Sequence, residues 1–277
     1  MSGSEALGGQ SLAPQTPRQL EEASACALVT GGARRIGAAI TRALAARGYA
    51  VAIHCHASLK EAEALADEIR TTGGRAVALA ADLADRHATA TLIPRATAAL
   101  GPVNVLINCA AAFRYDTAGT FTEADLDFHL RPNLEAPLLL AQHFAQALGG
   151  QPGNVINMLD HKVMALNPDF FTYTLAKIAL AGATQMMAQS FGGRIRANGI
   201  APGITLLSGK QTQAGFERAW SAPPLGRSAT PDEIAQAVLF ALSVPSLNGQ
   251  ILVLDGGESL LARPRDVAFD PALSPDA

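Results

Sequence analysis

Residues 28–37 read LVTGGARRIG, a short apolar run that passes through two glycines and two arginines straight into a helical pattern over 35–48. Gly31 and Gly32 tolerate the backbone angles of a tight turn and carry no side chain to block a pyrophosphate. Gly37 permits close packing of the helix on the strand it follows. A helix that starts here offers unpaired N–H groups and partial positive charge to phosphates. Glycine clusters are common in turns. The position of this one, between a first strand and a first helix, is what points to a dinucleotide-binding α/β fold.

The rest of the chain repeats the same grammar. Apolar strand candidates lie at 26–30, 50–55, 76–80, 103–108, 154–158, 194–200 and 250–255, and helical stretches at 35–48, 59–72, 87–99, 123–149, 171–190 and 231–243 fill the gaps. Strands that are apolar on both faces and separated by helices predict a parallel sheet covered on both sides. With no repeat or linker in between, the expected fold class is α/β, a single-domain Rossmann-type doubly wound sheet of about seven strands over residues 25–261. Residues 1–24, rich in Ser, Gly, Gln and Pro, read as a flexible leader, and 262–277, with three prolines and no period, as a tail.

Composition narrows the function. The 277 residues carry a net charge of −3 without a Lys/Arg run, which argues against a nucleic-acid partner. Cys26, Cys55 and Cys109 are scattered and show no zinc-ligand spacing, as expected of reduced thiols, and no metal site is expected. No stretch has the length of a membrane span, about 18 apolar residues, and residues 1–25 lack signal-peptide character. The expectation is a cytoplasmic protein with a small-molecule partner.

An NAD-preferring site places an acid at the end of the second strand, roughly 20 residues past the loop. Here that strand ends His54-Cys55-His56, and the next acid is Glu61, already on a helix. A 2′-phosphate is therefore tolerated, with Arg34, His54 and Ser58 as its expected ligands, and the expected cofactor is NADPH.

Further along, NMLDHKVMALNPDFFTYTLAK (157–177) places Tyr173 and Lys177 one helical turn apart and Asp160 thirteen residues before the tyrosine. Alone, such a Tyr/Lys spacing is a chance surface pair. In the order TGGARRIG, ADL (81–83), NCAAAF (108–113), Asn133, Tyr173/Lys177 and APG (201–203), it resembles the short-chain dehydrogenase/reductase family over roughly residues 25–260.

That resemblance implies that Gly31, Arg34, Arg35, Ile36 and Gly37 form the phosphate loop. Asp82 and Leu83 would flank the adenine, with Asn108 and Ala110 on the adenosine side. Pro202, Gly203 and Thr205 would sit by the nicotinamide amide, and Asn133 would hold a water that feeds protons to Lys177. The residues also depart from the family's usual pattern. Arg35 replaces a glycine, Asn108-Cys109-Ala110-Ala111 replaces Asn-Ala-Gly, and Asp160 replaces the catalytic serine. Together with Phe113, these departures resemble the pteridine reductase branch. There Arg35, Phe113, Asp160 and Tyr173 would face a pterin, whereas Ala57-Ser58 is a weaker match to that branch's Arg-Ser.

The chemistry is consistent with this. Hydride reduction of a C=N or C=O bond leaves charge that a nearby acid must quench. Asp160, Tyr173, Lys177 and Asn133 are the expected catalytic set, with Lys177 lowering the phenol pKa and Asp160 pulled up by burial and down by Lys177 and Arg35. His161 reads as a solvated loop residue. Three functions stay open: a pterin reductase, a general carbonyl reductase for acyl, sugar or polyol substrates, and a non-catalytic dinucleotide sensor. The apolar residues of helix 171–190 (Leu175, Ile178, Leu180, Met186 and Met187 among them) leave little polar surface, so an oligomer, a homotetramer as the family resemblance implies, is expected. Arg263 is expected to reach a neighbouring subunit's pocket.

Overall fold

A computed structural model describes residues 25–207, 212–270 and 273 of the chain; the expected leader, 1–24, lies outside them. Seven parallel strands form one sheet in the order β3-β2-β1-β4-β5-β6-β7. They are β1 (Cys26–Thr30), β2 (Ala50–Cys55), β3 (Ala76–Ala80), β4 (Val105–Asn108), β5 (Gly153–Met158), β6 (Ile195–Pro202) and β7 (Ile251–Leu254). The connecting helices are α1 (Arg35–Ala46), α2 (Leu59–Thr71), α3 (Arg86–Ala90), α4 (Leu92–Leu100), α5 (Glu123–Leu130), α6 (Ala136–Leu148), α7 (Phe171–Ser190), α8 (Gln213–Ser221) and α9 (Pro231–Ser243).

Alternation along each strand splits the core into two layers. Val29 of β1 and Ile107 of β4 pack with Ile40 and Leu44 of α1 and Ile234 and Val238 of α9. Leu28 and Leu106, their immediate neighbours in sequence, pack on the other face with Leu92 and Ile93 of α4 and Leu140 and Phe144 of α6. Both faces are thus buried, which is why these strands read as continuous apolar runs.

Two expected helices are interrupted. The stretch 87–99 divides at Thr91 into α3 and α4, and 123–149 passes through a π-helical turn, Arg131–Glu135. Pro132 lies in that turn and has no N–H to donate, so the regular ladder opens there. Helix α8 has no counterpart in the sequence reading. The strand order reverses between β1 and β4, where Thr30 lies beside Asn108. A crevice forms at the carboxyl ends of the strands at such a switch point.

The expected tail is corrected. Residues 263–270 fold back over these carboxyl ends and are tied there by ion pairs. Arg265 binds Asp169, Lys162 binds Asp266, and Arg263 binds Glu258 and Asp270. Arg263 is thus engaged within its own chain.

Candidate active site

A cavity of about 1650 Å³ opens over the strand ends. That exceeds the roughly 300–1,000 Å³ of a typical small-ligand pocket and leaves room for a dinucleotide and a second ligand together. Seventeen of the nineteen expected site residues line it; Asn108 and Asn133 do not.

The floor is the phosphate loop. Gly31 has φ +63°, and a Cβ on it would lie 2.9 Å from the Ala110 Cα; a Cβ on Gly37 would overlap the Gly31 carbonyl. Arg34 precedes α1 without capping it, so the first-turn N–H groups have no side-chain acceptor. A glycine cradle beneath uncapped helix donors fits a pyrophosphate. Arg35 holds φ +54°, an angle that favours the glycine usual at this position. Its guanidinium donates to the Leu207 carbonyl at 2.9 Å and the Leu206 carbonyl at 3.5 Å, bridging the cavity mouth. Ile36 completes the loop.

His54 is corrected. It is 1% exposed, its Nδ1 accepts from the Gly31 N–H at 3.1 Å, and its Nε2 lies 3.1 Å from the Ala81 carbonyl. With Nε2 carrying the proton, both nitrogens are satisfied. Burial lowers its pKa to about 4 against the pull of that carbonyl, so it is neutral and shapes the loop rather than holding a phosphate. Arg34 and Ser58 remain at the cavity edge. Arg34 is 63% exposed and 3.7 Å from Glu61, a loose pair worth ~0–1 kcal/mol and easily exchanged. Asp82 accepts from the Ala84 N–H at 2.9 Å, and Leu83 is buried beside it, together forming the wall beyond β3.

Asn108 is also corrected. Its Nδ2 donates to Asn157 Oδ1 at 2.8 Å, and Asn157 donates on to Thr184, stitching β4, β5 and α7 below the cavity. Thr30 Oγ1 accepts the N–H groups of Cys109 and Ala110, so Ala110 is what faces the cavity. Asn133 is spent in the same way: its amide makes two 2.8 Å bonds with the backbone of Ala112 and is fully buried. Its side chain anchors the loop after β4. Across the cavity, Pro202 ends β6, Gly203 follows it, and Thr205 Oγ1 donates to the Gly203 carbonyl at 3.0 Å.

The reacting groups sit above. Tyr173 Oη donates to Asp160 Oδ2 at 2.9 Å, and Lys177 Nζ donates to the Met158 carbonyl at 2.7 Å. Burial and the Asp160 charge hold the phenol well above its ordinary pKa, so the expected depression by Lys177 is corrected. The ammonium is buried and aimed at a carbonyl, and burial lowers its own pKa to about 8. Asp160 is likewise not drawn up. Burial raises it, but His161 and the N–H and ammonium of Lys162 outweigh that and leave it ionised, with a pKa of about 2. Asp160 in turn favours the charge on Lys177. His161 is not a solvated loop residue: its side chain is 15% exposed and its Nδ1 lies 3.2 Å from Asp160 Oδ1.

Phe113, 41% exposed, stacks on Phe170 at 4.3 Å and meets Tyr173 edge-on at 4.7 Å. Phe170 holds φ +55°, a strained angle at the mouth of the site. Tyr173 owes its position to a buried network absent from the sequence reading. Asp116 binds the N–H and hydroxyl of Thr172, and His129 bridges Thr172 Oγ1 and the Arg114 N–H. An aspartate, a histidine and a threonine spread over 57 residues give no motif to find. Arg265, Asp266 and Phe269 of the C-terminal segment close the far wall.

Comparison with known proteins identifies the family. The sequence profile of the family described as "Enoyl-(Acyl carrier protein) reductase" covers residues 31–259. D-threitol dehydrogenase of Mycolicibacterium smegmatis is 32% identical over 249 residues, 84% of this chain and 92% of that one. FolM alternative dihydrofolate reductase 1 from Brucella canis, solved with NADP, superposes with a TM-score of 0.83 at 43% identity, covering 86% of this chain and 95% of that one. A short-chain dehydrogenase from Burkholderia cenocepacia, also solved with NADP, gives 0.78 at 33%, covering 84% and 97%. The chain belongs to the short-chain dehydrogenase/reductase family of oxidoreductases, and its neighbours fit the pteridine reductase-like branch.

Proposed function

We propose that the protein is an NADPH-dependent pterin reductase that converts a dihydropterin to a tetrahydropterin. The observation that carries this is Asp160, ionised and 2.9 Å from the Tyr173 hydroxyl, where a carbonyl reductase of the family has a serine. A carboxylate repels a developing alkoxide but accepts the ring N–H and amino donors of a pterin. The exposed face of Phe113 offers a flat platform beside that pair on which a heteroaromatic ring can stack. The 43% identical Brucella protein bears the name of a dihydrofolate reductase, which supports a pteridine substrate.

The cofactor reading rests on the uncapped loop, on β2 ending without an acid, and on the exposed charge of Arg34. NADP in the related structures supports it. When bound, NADPH supplies a hydride to carbon. The protein's residues do the rest. Arg35 holds Leu206 and Leu207 across the mouth and Phe113 orients the ring. Asp160 fixes its N–H donors, and Tyr173 delivers the proton that the ring nitrogen needs as the hydride arrives.

A polyol or carbonyl substrate is the second reading, favoured by the resemblance to D-threitol dehydrogenase. NADPH oxidation measured against biopterin, dihydrobiopterin, monapterin, folate and a set of ketones separates the two. Turnover confined to ketones would reject the pterin reading.

A homotetramer paired through α6 and α7 completes the proposal. Leu175, Ile178, Ala179, Gly182 and Met186 form an exposed stripe at helical spacing on α7, and Leu138 of α6 is also exposed.

A further inference from the structure

We propose that His161 is a positioning residue and proton reservoir for this site: as an imidazolium it returns, through Asp160, the proton that Tyr173 gives to the substrate. The inference rests on the pterin-reductase reading above and goes one residue beyond it. In the resting site Tyr173 and Asp160 share a single proton, on the phenol. When the phenol O–H bond breaks and an N–H bond forms on the substrate, two anions remain side by side in a buried pocket. Such a pair is costly in low dielectric and must regain a proton for the next turnover.

The source is on the other oxygen of the same carboxylate. Tyr173 occupies Oδ2, and His161 Nδ1 lies 3.2 Å from Oδ1. Nδ1 is buried and has no hydrogen-bond partner; its approach to Asp160 is an ion-pair contact off the ideal N–H direction. The ring borders the cavity, which gives it a route to water. The charged groups around it are Asp160, Lys162, Asp266 and Asp255. Burial and Lys162 oppose its charge, but Asp160 and Asp266 prevail, and its pKa is raised above the ordinary 6.5.

The two other candidate relays are each held by the backbone at one end: the Asn133 amide bonds Ala112, and Lys177 Nζ gives one of its three donors to the Met158 carbonyl, 5.7 Å from the Tyr173 ring centre, so neither lies on the Asp160 carboxylate as His161 does. The step balances. The hydride carries two electrons to carbon, the Tyr173 proton goes to nitrogen, the His161 proton moves by way of Asp160 to the phenolate oxygen, and neutral His161 takes a proton from water.

Two measurements test this. The first needs no substrate: NMR titration of His161 in the wild type and in Asp160→Asn. The proposal expects a value above 6.5 that falls in the variant; no fall would overturn it. The second is the pH profile of kcat with NADPH and dihydrobiopterin for wild type, His161→Gln and His161→Asn. Wild-type kcat should fall as pH rises through the His161 titration. Both variants should lose that limb and run about tenfold or more slower near pH 7, short of the 10²–10⁴ lost with a direct acid. Wild-type NADPH affinity in both variants excludes misfolding, and added imidazole should restore part of the rate in His161→Ala. An alkaline limb that persists in both variants points to Lys177 and overturns the role of His161 alone. A wild type that oxidises no NADPH with any pterin, while His161 still couples to Asp160, instead removes the pterin reading and the proton path built on it.

Discussion

At the scale of single residues, the site sets a half-buried carboxylate against a buried phenol. Asp160 has a depressed pKa, so its stabilising contribution is present above 3.8 and lost as pH falls toward about 2. His161 has a raised one, so its contribution is present below 6.5 and lost as pH rises through its folded value. The pair should stabilise the fold most between about pH 4 and 6.5. Thermal melts of the wild type and Asp160→Asn should differ most near pH 5 and less as pH rises through the His161 titration; a constant difference would contradict the coupling. Arg34→Ala should weaken NADPH by about tenfold or more and NADH far less, because a charge-assisted hydrogen bond contributes ~1.5–3 kcal/mol. Equal losses for both cofactors, by titration, would count against it. The residues whose chemistry travels with their type (Tyr173, Lys177, Asp160, Phe113, Arg35) could be read from the sequence. His54, Asn108 and Asn133 could be placed at strand and helix positions but not assigned roles, since what decides those is the direction of a ring or an amide. His161 acquired meaning only through 3.2 Å and burial.

At the scale of elements, β1, β2, β3, α7 and α9 fall where apolar runs and helical periods put them, because each is a continuous pattern closed by Gly, Pro or polar residues. The C-terminal segment was illegible for the opposite reason. Its sequence, RPRDVAFDPALSPDA, has no period, and the place of residues 263–270 is set by ion pairs to residues about a hundred positions away. Helix α8, with Gly215 inside it and few apolar positions, gives a similarly weak signal. Asp169 is 1% exposed, and Arg265 makes two 2.8 Å bonds to it. Arg265→Ala leaves that carboxylate with only the Asp266 N–H and the Tyr115 hydroxyl. The wall that carries Phe269 should loosen, raising the substrate KM several-fold more than it lowers kcat, with NADPH affinity kept. An unchanged KM would show that the segment packs beside the site without shaping it.

At the scale of the whole molecule, the apolar stripe on α7 predicts association. Light scattering at micromolar concentration should give the mass of a tetramer, and Ile178→Glu with Met186→Glu should reduce it; a monomeric wild type would refute this. The fold itself places the strand ends, the loop and α7 around one crevice, so turnover by the intact enzyme is where the account is most exposed. The most direct measurement is NADPH oxidation by the wild type and Asp160→Ser with dihydrobiopterin and with simple ketones. The account predicts dihydropterin turnover in the wild type and a loss on the order of 10²–10⁴ in kcat in the variant, with NADPH binding retained. Pterin turnover that survives Asp160→Ser, or ketone activity that rises while pterins stay inert in both proteins, would contradict it.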